Sequence, residues 1–169
     1  MTRFVVDCET LLRIASGEIE VAAEHQLVAP TLVRSQALSA LYEAARRGEI
    51  SAAEGIERVT RINSLKVRFL GDKVLQRQAW NVADELGWET TYDAEYVALT
   101  KLQADVFVTS DRDLAEAVAG LVETATVDAL QLPERAIALG AVADGAPVVS
   151  RVGNRKPPSA PTKGGRNGG

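Results

Sequence analysis

Residues 4–10 read FVVDCET, an apolar run that stops abruptly at two acidic side chains. The first three residues have the composition of a buried β-strand, and Asp7 and Glu9 follow at its end. An ionised carboxylate at the edge of a hydrophobic core is costly unless another group compensates its charge. The stretch therefore predicts a core strand that ends in an acid, and the role of that acid needs an explanation.

The rest of the chain alternates short β-like runs with helical patterns, which indicates βαβ units and a parallel sheet. The predicted strands are 3–6, 26–29, 66–70, 106–109 and 124–127. The predicted helices are 9–16, 31–47, 51–63, 72–87, 92–103 and 111–118. The patterns thus predict an α/β domain over residues 1–133. They predict either a short helix and strand or a partner-binding extension for 134–152, and a disordered basic Gly/Pro-rich tail for 153–169.

Composition narrows the class of protein. The chain has 169 residues, of which 46% are hydrophobic and 25% charged, as expected for one globular domain. No signal-peptide pattern and no apolar run long enough for a membrane span is visible, so we expect a cytoplasmic protein. Residues 1–144 hold 14 basic against 23 acidic side chains, a net charge of −9. Such an acidic body does not bind nucleic acid through its overall charge.

Cysteine and histidine are too scarce for several kinds of site. Cys8 is the sole cysteine, which excludes disulfides and cysteine-based zinc sites and predicts a small buried residue. His25 is the sole histidine, which argues against a catalytic triad. Its loop-like surroundings predict a surface position.

The pattern of an apolar strand ending in an acid recurs in VFVTSDRDL, residues 106–114, where Asp111 follows the strand. Ser110 and Asp113 match a capping box, so part of this pattern has a purely structural interpretation. Asp93 lies in the first turn of the helix before that strand. In open α/β sheets, ligands bind at the carboxyl ends of the strands. Three carboxylates meeting there would repel one another unless a cation such as Mg²⁺ or Mn²⁺ neutralised them.

Four segments, in this order and at these separations, resemble a PIN domain, specifically a VapC-type ribonuclease toxin of a VapBC toxin-antitoxin module. They are FVVDCETLL, APTLVRSQALSALYEAARRG, TTYDAEYVALTKL and VTSDRDL, and the resemblance covers residues 1–133. The resemblance implies a three-layer α/β/α sandwich with a mainly parallel central sheet. It also implies acids around Mg²⁺ or Mn²⁺ that cut RNA, with Asp7, Asp93 and Asp111 as catalytic residues and metal ligands.

The second acid of that family pattern is replaced here by Gln36, which supplies no negative charge. Two nearby acids are candidates to compensate, Glu43 on the same helix and Glu9 beside Asp7. Thr109 matches the family's hydroxyl position and is expected to bond Asp7 or a water. Glu95 is expected to be either solvated or in contact with the ligands.

The resemblance further implies an RNA substrate, a homodimer and a VapB-like antitoxin whose amphipathic segment enters a hydrophobic groove. The helices between residues 31 and 63 are the expected location of that groove, because apolar residues there are flanked by Arg46, Arg47, Arg58 and Arg61. Trp80 and Trp88 are expected to be core or dimer-contact residues.

Two other functions stay open. A PIN-fold protein that lost catalysis through Gln36 would bind RNA or a partner without cutting. A haloacid dehalogenase-like phosphatase would use Asp7 as its nucleophile and would need a later Gly-Asp segment, for which Gly71-Asp72 is only a partial match.

Overall fold

The computed structural model describes residues 1–138 and the short segments 142–143, 146–147 and 149–150. The predicted tail, 153–169, and part of the predicted extension lie outside the described residues. No helix in the described part of the chain is long and apolar enough to cross a membrane.

Five parallel strands form the central sheet. They are β1 (Arg3–Val6), β2 (Gln26–Pro30), β3 (Val67–Leu70), β4 (Val106–Val108) and β5 (Thr124–Ala125). Their order across the sheet is β3-β2-β1-β4-β5. The central pair, β1 and β4, aligns Phe4 with Val106 and Val6 with Val108. Both strands are almost wholly apolar because a parallel sheet is covered on both faces. A two-residue strand, Val149–Ser150, pairs antiparallel with β5.

Six principal helices connect and cover the strands. They are α1 (Cys8–Ser16), α2 (Leu32–Arg46), α3 (Ala52–Ser64), α4 (Lys73–Leu86), α5 (Tyr92–Gln103) and α6 (Arg112–Val118). Helices α1, α2 and α3 pack against one another, and α4 packs against α5. Crossover connections are right-handed, and the chain reverses direction across the sheet after β3. The two groups therefore cover opposite faces, which gives the three-layer α/β/α sandwich expected from the sequence.

Short polar side chains begin four of these helices. Asp7, Ser51, Asp72 and Asp111 each accept a hydrogen bond from the backbone N–H three residues later. Such caps satisfy an N–H group that the helix itself leaves unpaired. The strand and helix assignments made from sequence are confirmed to within about two residues, the usual disagreement at element ends.

The fifth predicted strand is shorter than expected. Thr124 and Ala125 pair with β4, but Val127–Leu130 is a 3₁₀ helix, in which the N–H of Ala129 bonds the carbonyl of Thr126. The chain therefore turns away from the sheet after two residues. Beyond it, residues 134–138 form a short helix, α7, and the remaining short strands are Val142–Ala143 and Ala146–Pro147.

The environment of His25 was predicted wrongly. His25 is 9% exposed rather than a surface residue, because its ring meets the edge of Phe4 and its Nε2 bonds the carbonyl of Leu132 at 2.7 Å. The predicted loop position was right, but a segment more than 100 residues away covers it. Of the two tryptophans predicted to be core or dimer-contact residues, Trp88 packs against the core, and Trp80 is 70% exposed, which leaves the dimer contact as its predicted role.

Candidate functional site

The candidate site lies at the carboxyl ends of β1 and β4. The chain leaves β1 toward one edge of the sheet and leaves β4 toward the other, so the two strands flank a topological switch point. Such a point opens a crevice because the loops diverge. Asp7 directly follows β1 and Asp111 comes three residues after the end of β4. The fold thus brings together two acids that are 104 positions apart.

Each of these acids also caps a helix. Asp7 Oδ1 accepts from the N–H of Thr10 at 2.8 Å, and Asp111 Oδ1 accepts from the N–H of Leu114 at 2.9 Å. The capping box predicted for Ser110 is wrong, since Asp111 itself is the N-cap. In each carboxylate the other oxygen, Oδ2, has no hydrogen-bond donor within the described residues. Capping therefore holds the carboxylate in place and leaves one oxygen for a ligand.

The charges of these two acids act on a third acid, Asp93. It lies in the first turn of α5, whose amino end is at the same edge of the sheet. Desolvation of its carboxylate, followed by the negative charges of Asp111 and Asp7, raises the pKa of Asp93 above its usual value. Asp93 therefore lies close enough to Asp7 and Asp111 for their charges to act on it.

No lysine or arginine in the described part of the chain forms an ion pair with these three acids. The salt bridges found in the described part of the chain involve none of Asp7, Asp93 and Asp111. Among residues 1–138 and the short strands beyond them, no three His, Cys, Asp or Glu side chains are close enough to hold a metal ion as a group. The acids share a charged neighbourhood, but their side chains do not form a closed ligand cluster.

Gln36 reaches the same neighbourhood from the second turn of α2. Its amide oxygen accepts a short hydrogen bond from the hydroxyl of Tyr96. Burial, followed by the charges of Cys8, Asp7, Asp93 and Glu95, raises the pKa of Tyr96. Tyr96 was missed in the sequence analysis, although it lies three residues after Asp93 and therefore on the same face of α5.

The other predicted residues are placed as follows. Thr109 is buried and its Oγ1 accepts from the N–H of Asp111 at 3.1 Å, so among the described residues it bonds Asp111 rather than Asp7. Asp113 is an exposed acid in the first turn of α6. Glu95 is half-buried, and burial raises its pKa.

The two acids considered as replacements for Gln36 have other neighbours. Glu9 is exposed, and its charge raises the pKa of Cys8 and Arg13 rather than that of Asp93. Glu43 is exposed on α2, where it accepts from Ser39 Oγ at 2.9 Å.

Cys8 shows no sign of a nucleophile. Burial, followed by the charges of Asp7 and Glu9, raises the pKa of its thiol to about 11. The thiol therefore stays protonated near neutral pH, whereas a reactive cysteine is a thiolate.

Comparison with solved structures identifies the fold. No protein-family model and no curated protein matches the chain. Among solved structures, PAE2754 from Pyrobaculum aerophilum is similar at 27% identity and a TM-score of 0.59, over 76% of this chain and 92% of that one. A chain in the structure of VapBC2 from Rickettsia felis, bound to a DNA fragment from their promoter, has 7% identity and a TM-score of 0.56. That match covers 73% of this chain and 98% of the other.

The chain has a PIN-domain fold of the VapC type. The fold expected from the four quoted segments is confirmed. Asp72, on which the phosphatase alternative depended, caps α4 through a 2.8 Å bond from the N–H of Leu75. It therefore has a structural role in this PIN fold.

The PIN fold also carries an apolar groove between α2 and α3, in the region where the sequence analysis expected one. Its volume is about 450 Å³. Leu38, Tyr42 and Ile56 on its walls are 53%, 65% and 66% exposed. Arg46 lies on its margin. Large apolar side chains left exposed together mark an interaction surface more often than a solvated one.

Proposed function

We propose that this PIN-fold protein is a metal-dependent endoribonuclease, the toxin of a toxin-antitoxin pair. The observation that carries the proposal is the group of three carboxylates at the switch point, which pair with no base in the described residues; desolvation and the charges of Asp111 and Asp7 raise the pKa of Asp93. Unpaired, electrostatically strained acids in a crevice are typical of functional sites. In Asp7 and Asp111, helix capping accounts for only one carboxylate oxygen, Oδ1, and leaves Oδ2 for a ligand.

The side chains suit Mg²⁺ or Mn²⁺ in chemistry, and Asp7, Asp93 and Asp111 are the residues that would hold the ion. Hard cations prefer oxygen ligands, and Mg²⁺ commonly takes one or two carboxylates and keeps several waters. Carboxylates that do not form a closed cluster are compatible with such a water-rich shell. When bound, the ion supplies water activation and stabilises charge on a phosphate.

The chain's own residues would position the RNA and the acids. Hydrogen bonds from α1 and α6 hold Asp7 and Asp111 at fixed angles before any ligand arrives. The acidic body offers little general attraction for RNA, so a single-stranded or looped segment must present its phosphate directly at the crevice. Cleavage at that phosphate by water would leave a 5′-phosphate and a 3′-hydroxyl.

The groove between α2 and α3 is the proposed binding site of a VapB-like antitoxin, and the protein is proposed to be a cytoplasmic homodimer. An amphipathic segment would bury its apolar face against Leu38 and Ile56. We expect Leu38→Glu combined with Ile56→Glu to abolish antitoxin binding in a pull-down with the purified pair. Val74→Glu changes an equally exposed apolar residue on α4 and is the matched control. Equal loss of binding in both proteins would contradict the assignment.

The test of the nuclease is cleavage of total cellular RNA by the purified, antitoxin-free protein in Mn²⁺. We expect cuts that disappear when a chelator is added. Absence of cuts in Mn²⁺ and in Mg²⁺ would contradict the proposal, provided that circular dichroism shows a folded protein.

One observation favours a second candidate, a PIN-fold binding protein without catalysis. Gln36 carries no charge, and its amide oxygen already accepts a hydrogen bond from the Tyr96 hydroxyl. This candidate predicts that Gln36→Glu cuts RNA whereas the natural protein does not. The substitution belongs in the same assay, since cuts by the natural protein alone or by both proteins exclude this candidate.

A further inference from the structure

Tyr96 links three elements that carry site residues. It belongs to α5, one turn after Asp93, and its side chain is 3% exposed. Its ring lies against Phe107 of β4, with ring centres 6.0 Å and ring planes 23° apart. Its hydroxyl bonds Gln36 of α2 across 60 positions of sequence. A buried ring clamped in this way presents its hydroxyl from one fixed position.

The hydrogen bond between Tyr96 and Gln36 has a defined direction. A neutral tyrosine hydroxyl carries one proton, and the amide oxygen of Gln36 accepts it. The amide nitrogen of Gln36 carries two protons and accepts none. Once the oxygen is engaged by Tyr96, the part of Gln36 with unused hydrogen-bonding capacity is chiefly a donor.

The charges that act on Asp93 and Tyr96 come from acidic side chains, Asp7 among them. Carboxylates accept hydrogen bonds and repel a phosphate. A glutamate at position 36 would add a fourth negative charge, whereas the amide adds two N–H groups. Hydrogen bonds to a charged acceptor are about twice as strong as those between neutral groups. The amide therefore suits a phosphate oxygen as its partner.

We propose that Tyr96 is a positioning residue that orients Gln36 as a hydrogen-bond donor to a phosphate oxygen of RNA, and that position 36 has thereby changed from ligating metal to recognising substrate. The inference rests on the proposed RNA substrate. It assigns a function to the substitution that otherwise counts against activity.

The test is a double-substitution cycle on RNA affinity. Tyr96→Phe keeps the ring against Phe107 and removes only the hydroxyl, and Gln36→Met keeps the side-chain length and removes both amide groups. Binding of a fluorescein-labelled single-stranded RNA is followed by anisotropy in a chelator, so that metal-dependent cutting cannot occur. We expect each substitution to weaken binding about fivefold to tenfold. The double variant should bind no more weakly than either single variant, because both remove the same contact.

Two further measurements separate this role from simple packing or metal ligation. Mn²⁺ affinity, measured by calorimetry without RNA, should change less than about twofold in both single variants. Tyr92→Phe, at a 58% exposed tyrosine on the same helix, is the control and should bind RNA like the natural protein. If Tyr96→Phe fails to fold, Gln36→Met alone still tests the donor, since its partner ring stays in place.

The outcomes are distinguishable from those of the nuclease test. Additive losses would show that Tyr96 does not act through Gln36, and a fall in Mn²⁺ affinity in Gln36→Met would show that the amide ligates metal. Either result, or failure of the natural protein to bind RNA, overturns the inference. Coupled losses of RNA affinity in a protein that never cuts RNA would support the inference while refuting the nuclease.

Discussion

The acids at the two ends of the parallel sheet differ in whether they have a cationic partner. At the amino end, Asp105 accepts from the backbone N–H of Arg3 at 2.8 Å and lies 3.5 Å from its guanidinium. Glu134 lies 2.5 Å from the amino group of Met1. At the carboxyl end, Asp7, Asp93 and Asp111 have no cationic partner in the described residues. Desolvation, followed by the charges of Asp111 and Asp7, raises the pKa of Asp93.

This difference distinguishes acids whose charge has a structural role from acids whose charge does not. The acids of the amino end belong to ion pairs that bridge neighbouring parts of the chain, as expected of structural surface charges. The acids of the carboxyl end are held close to like charges, which disfavours folding. Proteins depart from consistent local stabilisation mainly at functional sites. Substitutions of matching acids at the two ends test whether they differ in this way.

The largest expected difference is in activity. Asp93→Asn should lower RNA cleavage in Mn²⁺ by roughly 10²–10⁴-fold, since it removes a charge from the proposed metal site. Asp105→Asn makes the same chemical change at the amino end and should cleave RNA at the natural rate. Initial rates on one labelled RNA compare the two variants. A natural rate in Asp93→Asn would remove Asp93 from the site.

The second difference is in stabilisation by metal. Mn²⁺ at 100 times its dissociation constant should raise the free energy of unfolding of the natural protein by about 2.7 kcal/mol. Asp7→Asn should gain much less, and for a specific reason. Asparagine caps a helix as well as aspartate does, so the bond from Thr10 persists and only the charge is lost. Urea unfolding with and without Mn²⁺ measures both gains, and equal gains would refute the metal role of Asp7.

The smallest difference is in stability without metal. Because the pKa of Asp93 is raised in the folded protein, its contribution favours folding below the ordinary aspartate pKa and is lost as pH rises through the folded value. At pH 7 we therefore expect Asp93→Asn to unfold with a free energy higher by a few tenths of a kcal/mol, a small value because the side chain is exposed.

The same unfolding experiment at lower pH and on the opposite acid provides the check. The advantage of Asp93→Asn should shrink as pH approaches about 4, where the natural carboxyl becomes protonated. Asp105→Asn should instead lose about 0.2–1 kcal/mol at pH 7, the usual value of an exposed ion pair. A loss of stability in both variants at pH 7 would mean that the two ends of the sheet do not differ.

Much of this protein was determined by the sequence itself, because the relevant signals are local. The apolar run at 4–6 predicted β1, and a capping aspartate bonds an N–H only three residues away. The strand ends therefore located Asp7 and Asp111, and the helix pattern located Asp93. The register of the four resembling segments located Gln36. The one misplaced boundary, after Ala125, lies where a short strand gives way to a 3₁₀ helix.

Only the tertiary structure decided which of these residues meet. The order of the strands sets β1 beside β4, the burial of His25 depends on Leu132, and the partner of Gln36 is Tyr96 on a helix 60 residues away. No periodicity within one segment contains that information. Hydrogen bonds and capping within four residues depend on neighbouring side chains, whereas contacts between distant segments depend on how the whole core packs.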